Sequence, residues 1–540
     1  MPETTADQPQ LPPQVAPPDV ALSDLGPYAV LGVDVVAVPV LPAETGDGDG
    51  DDADPGGTGP VLGPGAAELC EQLGLDLLAV LELEEATGAA GEVTRVPVPL
   101  GGPDNADLRW VLLVGVGQQR PVDLRRAGAA LARAVCNREA VATSVPAVAG
   151  PEGLAAGLEA FVVGLVLGSF GFRWSGQEPD QRPVGRAVLS DVEDTEENRA
   201  VLARALAVAG AGWQSRLLAT VPSNLKNPAW LAAQAVEVAA RAGLEVEVWD
   251  EQRLAAEGCG GILGVGQASA SPPRLIRLDY TPPRATKQTP TVVLVGKGIT
   301  FDTGGLSIKP AEGMATMKRD MTGGAVVIAT MAALREVGCP VRVVGLVAAA
   351  ENAVSGSAMR PGDVVRHYGG RTSEVTNTDA EGRLVMADAL AYGVAQLAPA
   401  AIVDVATLTG AMKVALGLRT GGFFADDEAL AGHIAAAGEA SGETLWRMPL
   451  ADVYEERIAS EVADADNAGG GPGAITAALF LRHFTGDVPW AHLDVASVGD
   501  SPVDVHEWSA GPTGFGARAL LSWLGSEDPL AGVGAAGVGS

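Results

Sequence analysis

The sequence contains little cysteine, and the few cysteines it has are isolated. Its 540 residues include four, at positions 70, 136, 259 and 339, and no two of them form a CxxC pair. This pattern excludes a disulfide scaffold and a thiolate zinc site, and it is typical of a reducing compartment. The opening residues, MPETTADQPQ, also lack the basic and apolar regions of a signal peptide. We therefore expect a cytoplasmic protein.

Positive charge is also scarce. Lysine and arginine total 36 against 67 aspartates and glutamates, which gives a net charge of −31. A chain this acidic has little to attract a phosphate backbone, so nucleic-acid binding is not expected as its main role. The candidate basic stretch, around Arg120, Arg125 and Arg126, is thin.

Long apolar segments are missing too. Hydrophobic residues make up 47% of the chain, yet the longest run that suggests a membrane helix covers residues 160–172, which is 13 residues. A span needs roughly 20 residues, so we expect no membrane segment. The apolar residues are instead sufficient for the cores of two large domains.

Strand-like and helix-like patterns alternate along most of the chain, which predicts an α/β fold. We predict a smaller N-terminal α/β domain, joined by a helix to a larger C-terminal α/β domain with a central mixed sheet flanked by helices. The predicted parts are a disordered proline-rich tail at 1–24, the N-terminal domain at 25–193, the linking helix at 194–216, the C-terminal domain at 217–527 and a flexible tail at 528–540.

An acidic, glycine-rich insertion interrupts the predicted N-terminal domain at residues 44–60. Its alternating aspartates suggest a calcium-binding loop, but Asp52 stands where an EF-hand has glycine and Thr58 where it has glutamate. We therefore predict a solvated surface insertion.

A predicted buried strand at 291–296 runs into a glycine-rich loop, in the stretch TVVLVGKGITFDTGGLSIK. Lys297, Asp302 and Lys309 follow the strand, and such strand ends are where open α/β sheets place their functional sites. A phosphate-binding P-loop is excluded, because Thr291 replaces its first glycine and Gly298 replaces its serine or threonine.

Three further carboxylates occur in two later motifs. Asp320, in MATMKRDMTGGAVV, precedes a predicted helix and is either a helix cap or a site residue. Asp379 and Glu381, in NTDAEGRL, are followed by Arg383. If this stretch is extended, all three side chains point the same way.

Four carboxylates that converge on one pocket repel each other unless cations lie between them, and Arg383 neutralises only one. The set therefore predicts divalent metal, with two ions. The five histidines form no HExxH motif and no GxSxG occurs, which excludes a zincin and a nucleophile elbow. Oxygen ligands with a lysine suit Zn²⁺, Mn²⁺, Mg²⁺ or Co²⁺, of which Zn²⁺ and Mn²⁺ are best suited to peptide hydrolysis.

These motifs resemble the leucyl (cytosol) aminopeptidase family of dinuclear metallo-exopeptidases. The resemblance covers about residues 217–525, and the N-terminal region resembles the family's smaller α/β domain in pattern only. The matching stretches are VGKGITFDTGGLSIK, MKRDMTGGA, SGSAMRPGD, NTDAEGRL, DVATLTGAM, GGGPGAITAALFL and WAHLDVAS.

The resemblance implies a role for each metal-site residue. Asp302 and Glu381 would bridge two metal ions, and Asp379 would complete one site together with its own backbone carbonyl. Lys297 and Asp320 would complete the other site. Lysine can be a ligand only as the neutral amine, so burial and the neighbouring ions would have to lower the pKa of Lys297.

The resemblance also implies catalytic and substrate-binding residues. Lys309 would polarise the scissile carbonyl and stabilise the gem-diolate, and Arg383 would hold a bicarbonate ion that acts as general base. Leu408 would bind the peptide through its backbone. The pocket for the N-terminal side chain would be lined by Met317, Thr407 and Gly410.

The implied activity is release of the N-terminal residue, Leu-like by preference, from short peptides. The implied cofactors are two Mn²⁺ or Zn²⁺ ions and bicarbonate, and the implied assembly is a homohexamer with its active sites facing an interior cavity. Two alternatives stay open: a dipeptidase of the Cys-Gly type, and a DNA-binding regulatory role, which the net charge of −31 opposes.

One stretch departs from the family pattern. In VPSNLKNPAWLA, residues 221–232, Lys226-Asn227-Pro228 stands where the family usually has threonine before proline. It lies outside the implied metal ligands, so we expect no effect on the chemistry. Lysine is also concentrated, because three of the six lysines lie between residues 297 and 318.

Overall fold

The computed structural model describes residues 11–43, 59–176 and 181–535. The chain divides into two compact units: an N-terminal unit of Pro12–Trp213 with Val503–Ser509, and a C-terminal unit that contains Gln214–Pro502 and Ala510–Ser540. Most of the predicted acidic insertion, residues 44–58, lies outside the described residues.

The N-terminal unit contains a seven-stranded sheet. Its strands are β1 (Asp19–Leu22), β2 (Val35–Leu41), β3 (Val61–Leu62), β4 (Val93–Pro97), β5 (Trp110–Gly115), β6 (Ala140–Thr143) and β7 (Arg186–Leu189). Their order is β1-β7-β6-β2-β5-β4, with β3 paired to β2. The strands are parallel, except that β4 runs antiparallel to β5 and β3 antiparallel to β2. The helices are α1 (Ala66–Leu73), α2 (Leu77–Leu83), α3 (Pro121–Ala134) and α4 (Gly150–Gly168), with 3-10 turns at Pro27–Ala29 and Val145–Ala149. Helix α5 (Glu196–Thr220) begins in this unit, and its residues from Gln214 onward belong to the C-terminal unit.

Helix α4 is longer than the apolar run of the sequence suggests. In the described part of the chain, the segment Val145–Gly168 is the one helix long and apolar enough to cross a membrane by length and composition alone. Its second half is buried within this unit and packs against α3. Glycines permit the contact: a Cβ on Gly164 would lie 1.9 Å from the carbonyl oxygen of Arg125. Such packing is that of a core helix.

Several predicted boundaries differ from the structure. The tail predicted at 1–24 is not wholly disordered, because Asp19–Leu22 forms β1 and pairs in parallel with β7. Helix α5 occupies Glu196–Thr220 rather than 194–216, and Pro222 follows its end.

Two differences concern the C-terminal part of the chain. Residues 503–509 were predicted in the C-terminal domain but belong to the N-terminal unit, where Glu507 pairs with Arg125 at 3.0 Å. The tail predicted at 528–540 is held in its described part: the indole of Trp523 donates to the Pro529 carbonyl at 2.7 Å, and Gly534 N–H donates to Asp427 at 3.0 Å.

The C-terminal unit contains an eight-stranded mixed sheet. Its strands are β8 (Glu245–Trp249), β9 (Arg274–Tyr280), β10 (Thr291–Asp302), β11 (Arg342–Asn352), β14 (Ala401–Ala406), β15 (Gly421–Ala425), β16 (Leu445–Arg447) and β18 (Trp490–Asp494). Their order in the sheet is β16-β15-β18-β14-β10-β11-β9-β8. Smaller sheets are formed by β12 (Asp363–Arg366), β13 (Thr372–Val375) and β17 (Ala465–Asp466), and by β19 (Asp500–Ser501) and β20 (Gly511–Pro512).

Helices cover this sheet. They are α6 (Pro228–Ala242), α7 (Glu251–Glu257), α8 (Gly260–Gly266), α9 (Ala311–Met314), α10 (Thr322–Ala333), α11 (Gly382–Leu397), α12 (Ala411–Leu416), α13 (Glu428–Ser441), α14 (Gly473–Arg482) and α15 (Ala517–Leu524), with 3-10 turns at Met317–Arg319, Tyr368–Gly370 and Asp452–Ile458. Strands β10 and β14 are buried almost throughout, as continuous apolar runs in central parallel strands require. The predicted mixed sheet flanked by helices is confirmed.

Four neighbouring strands determine where the functional residues lie. Strands β11, β10, β14 and β18 are mutually parallel, so their carboxyl ends meet at one edge of the sheet. Asp302 ends β10, Asn352 ends β11 and Asp494 ends β18, while Thr407 directly follows β14. The fold therefore brings together polar residues that are far apart in the sequence.

Glycines let helix α10 approach this edge closely. A Cβ on Gly323 would lie 2.0 Å from the Val405 carbonyl oxygen and 3.0 Å from the Lys297 backbone nitrogen, and one on Gly296 would lie 2.7 Å from the Gly323 carbonyl. Side chains at these positions would push apart β10 and the helix that follows Asp320.

We predict that Gly323→Ala destabilises the protein by about 1–3 kcal/mol, because the added methyl overpacks a close helix–sheet contact. The matched control is Gly432→Ala in helix α13, where a Cβ would meet nothing within 4 Å. Alanine should there stabilise the protein slightly. Thermal unfolding of the two variants measures the difference, and equal midpoints would contradict the prediction.

Candidate metal centre

Lys297 lies at the centre of a buried group of charges. It projects from β10 and is 3% exposed, and its Nζ lies 2.9 Å from Asp320 Oδ2 and 2.9 Å from Glu381 Oε1. Gly382 leaves room for it, because a Cβ there would lie 2.5 Å from Lys297 Cε. Burial lowers the pKa of Lys297, but the charges of Asp320, Glu381 and Asp302 outweigh burial and raise it above its usual value.

Lys309 contacts the other side of the same group. Its Nζ lies 2.8 Å from Asp302 Oδ2 and pairs with Asp379 Oδ1. Its side chain is 16% exposed, in contrast to the enclosed Lys297. Burial opposes the charge of Lys309, but Asp302 and Glu381 raise its pKa above the usual range, so the ammonium stays protonated.

The carboxylates form a cluster of the kind that binds metal. Asp302, Asp379 and Glu381 each offer a ligand oxygen, and these atoms lie within 4.8 Å of one another. Burial is the main cause that raises the pKa of Glu381 to about 8 and that of Asp320 to about 6, and the charge of Asp302 adds to both shifts. Within the described residues, Glu381 Oε2 is buried and has no hydrogen-bond partner.

The donor set fits divalent cations. A buried carboxylate oxygen without a partner is costly unless a cation approaches it. Here it adjoins two more carboxylates, and with Asp320 there are four carboxylates against two lysines. In this structure the carboxylates alone hold Lys297 as an ammonium; bound dications would oppose that charge and favour the neutral amine. Hard oxygen donors with one amine suit Mn²⁺ or Zn²⁺.

The loop that carries Asp379 and Glu381 is a turn followed by a helix. Glu381 has φ −74° and ψ −34° and helix α11 begins at Gly382, so the stretch is not extended there and the condition for three side chains that point the same way is not met. Arg383 thus lies in the first turn of α11. Asp320 is not a helix cap, because Met321 occupies that position of α10.

Arg383 is enclosed next to the cluster. It is 7% exposed, and its Nε and Nη1 have no hydrogen-bond partner in the part of the chain that the structure describes. Burial lowers the pKa of its guanidinium to about 10, despite the opposing charges of Glu381 and Asp494. A buried guanidinium with two unused donors is suited to bind a planar anion.

The predicted pocket residues lie at different distances from this group. Thr407 Oγ1 donates to Asp320 Oδ1 at 2.8 Å, and its carbonyl accepts from Lys297 Nζ at 3.4 Å. Met317 begins the 3-10 turn that leads to Asp320. Gly410 lies just before α12, and a Cβ added to it would meet nothing within 4 Å in the described residues. The substrate roles of these residues stay predictions.

Three positioning residues were missed by sequence reasoning. Asn352 donates to Asp302 Oδ1 at 2.8 Å and to the Thr378 carbonyl at 3.1 Å, and Thr378 Oγ1 donates to the Gly304 carbonyl at 2.7 Å. These bonds join the two ligand loops. The third residue is Asp494, at the end of β18. The signal available for Asp494 was its place in the motif WAHLDVAS, and that for Asn352 was its place two residues after the apolar run at 343–350.

Asp494 holds the backbone that was predicted to bind the peptide. Fully buried, it accepts from Leu408 N–H at 3.1 Å, Thr409 N–H at 3.3 Å and Ala496 N–H at 3.2 Å, and from Thr409 Oγ1 at 2.6 Å. The loop after β14 is thereby fixed between Asp494 on one side and the carboxylate–lysine group on the other.

A mixed α/β sheet with carboxylates and lysines gathered at its carboxyl edge places a candidate metal centre where open α/β sheets carry their active sites. The sequence model described as "Cytosol aminopeptidase family, catalytic domain" matches residues 214–521, and the N-terminal domain model of the same family matches residues 57–174. The chain belongs to the cytosol aminopeptidase family, and the resemblance seen in its motifs is confirmed.

Relatives in sequence and in structure agree with this assignment. The chain is 43% identical over 469 residues to a probable cytosol aminopeptidase of Streptomyces coelicolor. The aligned region covers 82% of this chain and 88% of that protein. It superposes on a mutant of tomato leucine aminopeptidase with a TM-score of 0.79 and 32% identity, over 96% of this chain and 97% of that one. The bottromycin maturation enzyme BotP in complex with Mn superposes with a TM-score of 0.77 and 35% identity, over 91% of this chain and 99% of that one.

We predict that Asp494→Asn weakens the protein by about 1–3 kcal/mol, because an amide cannot accept from four donors and presents donors of its own. The freed loop should also raise KM for peptides. Calorimetry and steady-state kinetics measure the two effects. The matched control is Asp487→Asn, an exposed residue of the same unit. A variant with the stability and KM of the unaltered protein would refute the assigned role.

Proposed function

We propose that this protein is a metal-dependent aminopeptidase that removes N-terminal, Leu-like residues from short peptides. The observation that carries the proposal is the buried Glu381 Oε2, which has no partner among the described residues and lies beside two further carboxylates and two lysines. Membership of the cytosol aminopeptidase family supports a peptidase, and the donor set supports a metal-dependent one.

Five residues would hold two Mn²⁺ or Zn²⁺ ions. Asp302 and Glu381 would serve both ions, Asp379 would serve one, and Lys297 with Asp320 would serve the other. When bound, such a pair makes hydroxide available near neutral pH and offers a ligand position for the substrate's α-amine. A free N-terminal amine would then be required for binding, which limits the enzyme to the ends of peptides.

Lys309 is suited to stabilise the negative charge that develops on the scissile carbonyl oxygen. It is charged, it is partly exposed where a substrate can reach it, and two carboxylates fix its position. A positioned ammonium in an enclosed site stabilises an oxyanion far better than water does, because it does not have to reorganise during the reaction.

Arg383 is suited to hold bicarbonate, which would supply the general base. Its buried Nε and Nη1 are unpartnered in the described residues, and a planar carbonate-type anion matches the flat guanidinium. The substrate itself would lie along the Thr407–Leu408 backbone, which Asp494 fixes. Met317, Thr407 and Gly410 are proposed to contact its N-terminal side chain.

We also infer a cytoplasmic homohexamer. All four cysteines are free, and the relatives carry the name cytosol aminopeptidase. Light scattering in solution tests the assembly, which should have a mass about six times the 54.7 kDa of one chain.

We predict that protein stripped of metal does not hydrolyse leucine p-nitroanilide, and that added Mn²⁺ or Zn²⁺ restores the activity. Glu381→Ala should stay inactive with either metal, because it removes a carboxylate assigned to both ions. Glu336→Ala, at an exposed position, is the matched control and should respond like the unaltered protein. Failure of every metal to activate correctly assembled protein would overturn the proposed function.

We predict that Arg383→Met lowers kcat by about 10²-fold or more, which is the usual contribution of a general base. Bicarbonate should raise the rate of the unaltered enzyme and leave the variant unchanged. Arg284→Met, at an exposed position, serves as the control. If the variant still responds to bicarbonate, Arg383 is not its binding residue.

A further inference from the structure

Lys226 is a buried lysine that the proposed chemistry does not use. It is fully buried, and it lies in the segment 221–227 that joins α5 to α6. The departure from the family pattern beside it has a simple local explanation: Asn227 caps α6 by accepting from Trp230 N–H at 2.9 Å. That explanation does not account for a lysine in the protein interior, where an ammonium is costly without partners.

The amine of Lys226 joins two parts of the backbone. It donates to the Ala219 carbonyl at 2.9 Å, near the end of α5, and to the Lys318 carbonyl at 2.5 Å. The first contact satisfies a carbonyl that the helix itself leaves unpaired. The second lies in the 3-10 turn Met317–Arg319, two residues before Asp320.

A second hydrogen bond from the same segment also reaches a backbone carbonyl close to a carboxylate of the cluster. Ser223 Oγ donates to the Thr300 carbonyl at 2.7 Å, and Thr300 lies two residues before Asp302. The segment thus contacts the backbone two residues ahead of two carboxylates assigned to metal. Asp320 and Asp302 project from those stretches into the group around Lys297.

We propose that the segment 221–227 is an outer support of the metal centre, in which Lys226 positions Asp320 and Ser223 positions Asp302. The inference rests on the proposed function for the identity of the ligands. It replaces the expectation that this segment has no effect on the chemistry. Hydrogen bonds that orient ligands from outside the coordination sphere typically change metal affinity 10–100-fold.

The support does not require a charged lysine. Burial, together with the nearby Lys318 charge, lowers the pKa of Lys226 well below its usual value. The protonated form has three N–H donors and the neutral amine has two, so either form can make both bonds. Methionine has a similar length and no donor, so Lys226→Met removes the bonds and preserves the volume.

The test is Mn²⁺ binding to the full-length protein, measured by titration with electron paramagnetic resonance. The unaltered protein should bind two ions. Lys226→Met should weaken one of them about 10–100-fold, because Asp320 is assigned to one ion. Ser223→Ala should weaken both, because Asp302 is assigned to both. Lys287→Met, at an exposed lysine, should bind like the unaltered protein.

The outcomes separate the two proposals. No tight Mn²⁺ binding by the unaltered protein would overturn the proposed function itself. Normal binding of both ions by Lys226→Met, even with a lower melting temperature, would show that Lys226 only stabilises the fold and would overturn this inference. If Lys226→Met does not fold, Ser223→Ala decides: it removes one hydroxyl, and unchanged affinity in that variant would overturn the support role of the segment.

Discussion

The structure depends on keeping four carboxylates close together in a nearly dry interior. Asp302, Asp320 and Glu381 are almost completely buried, and Lys297 and Lys309 supply only part of the compensating charge. Desolvation and mutual repulsion raise the pKa of Glu381 to about 8, so the arrangement is electrostatically strained without a cation. A site of this kind persists only if the surrounding fold fixes every member, because each carboxylate would otherwise move toward water.

Close backbone packing supplies that rigidity. Gly323 lets α10 lie directly on the sheet, and Gly382 lets Lys297 pass beneath the start of α11. Gly304, with φ +85°, turns the loop after β10 so tightly that a Cβ would lie 3.0 Å from Asp379 Oδ1. The glycines of the motifs therefore affect the electrostatics of the site, because they determine how closely the charged side chains approach each other.

The sequence could reveal the ligands but not their supports, for a physical reason. Lys297 and Asp302 follow an apolar run at 291–296 and are spaced by glycines, and that local pattern alone predicts a site. Asn352 and Asp494 act through bonds to residues 50 and 86 positions away. Only the parallel order of β11, β10, β14 and β18 brings such residues together. The sequence left open whether NTDAEGRL is extended, because periodicity cannot distinguish a short turn before a helix from a strand.

Half of the few lysines in the sequence lie at or next to the carboxylate cluster in the folded protein. Of six lysines, Lys226, Lys297 and Lys309 use their amines inside or directly behind the carboxylate group, while exposed ion pairs such as those of Arg447 and Arg482 use arginine. The division follows from chemistry. Arginine keeps its charge under all ordinary conditions, whereas a buried lysine can lose its proton and then act as a neutral donor or a metal ligand. The buried Arg383 therefore supplies a fixed charge beside the cluster, whereas Lys226, Lys297 and Lys309 supply amines whose protonation can change.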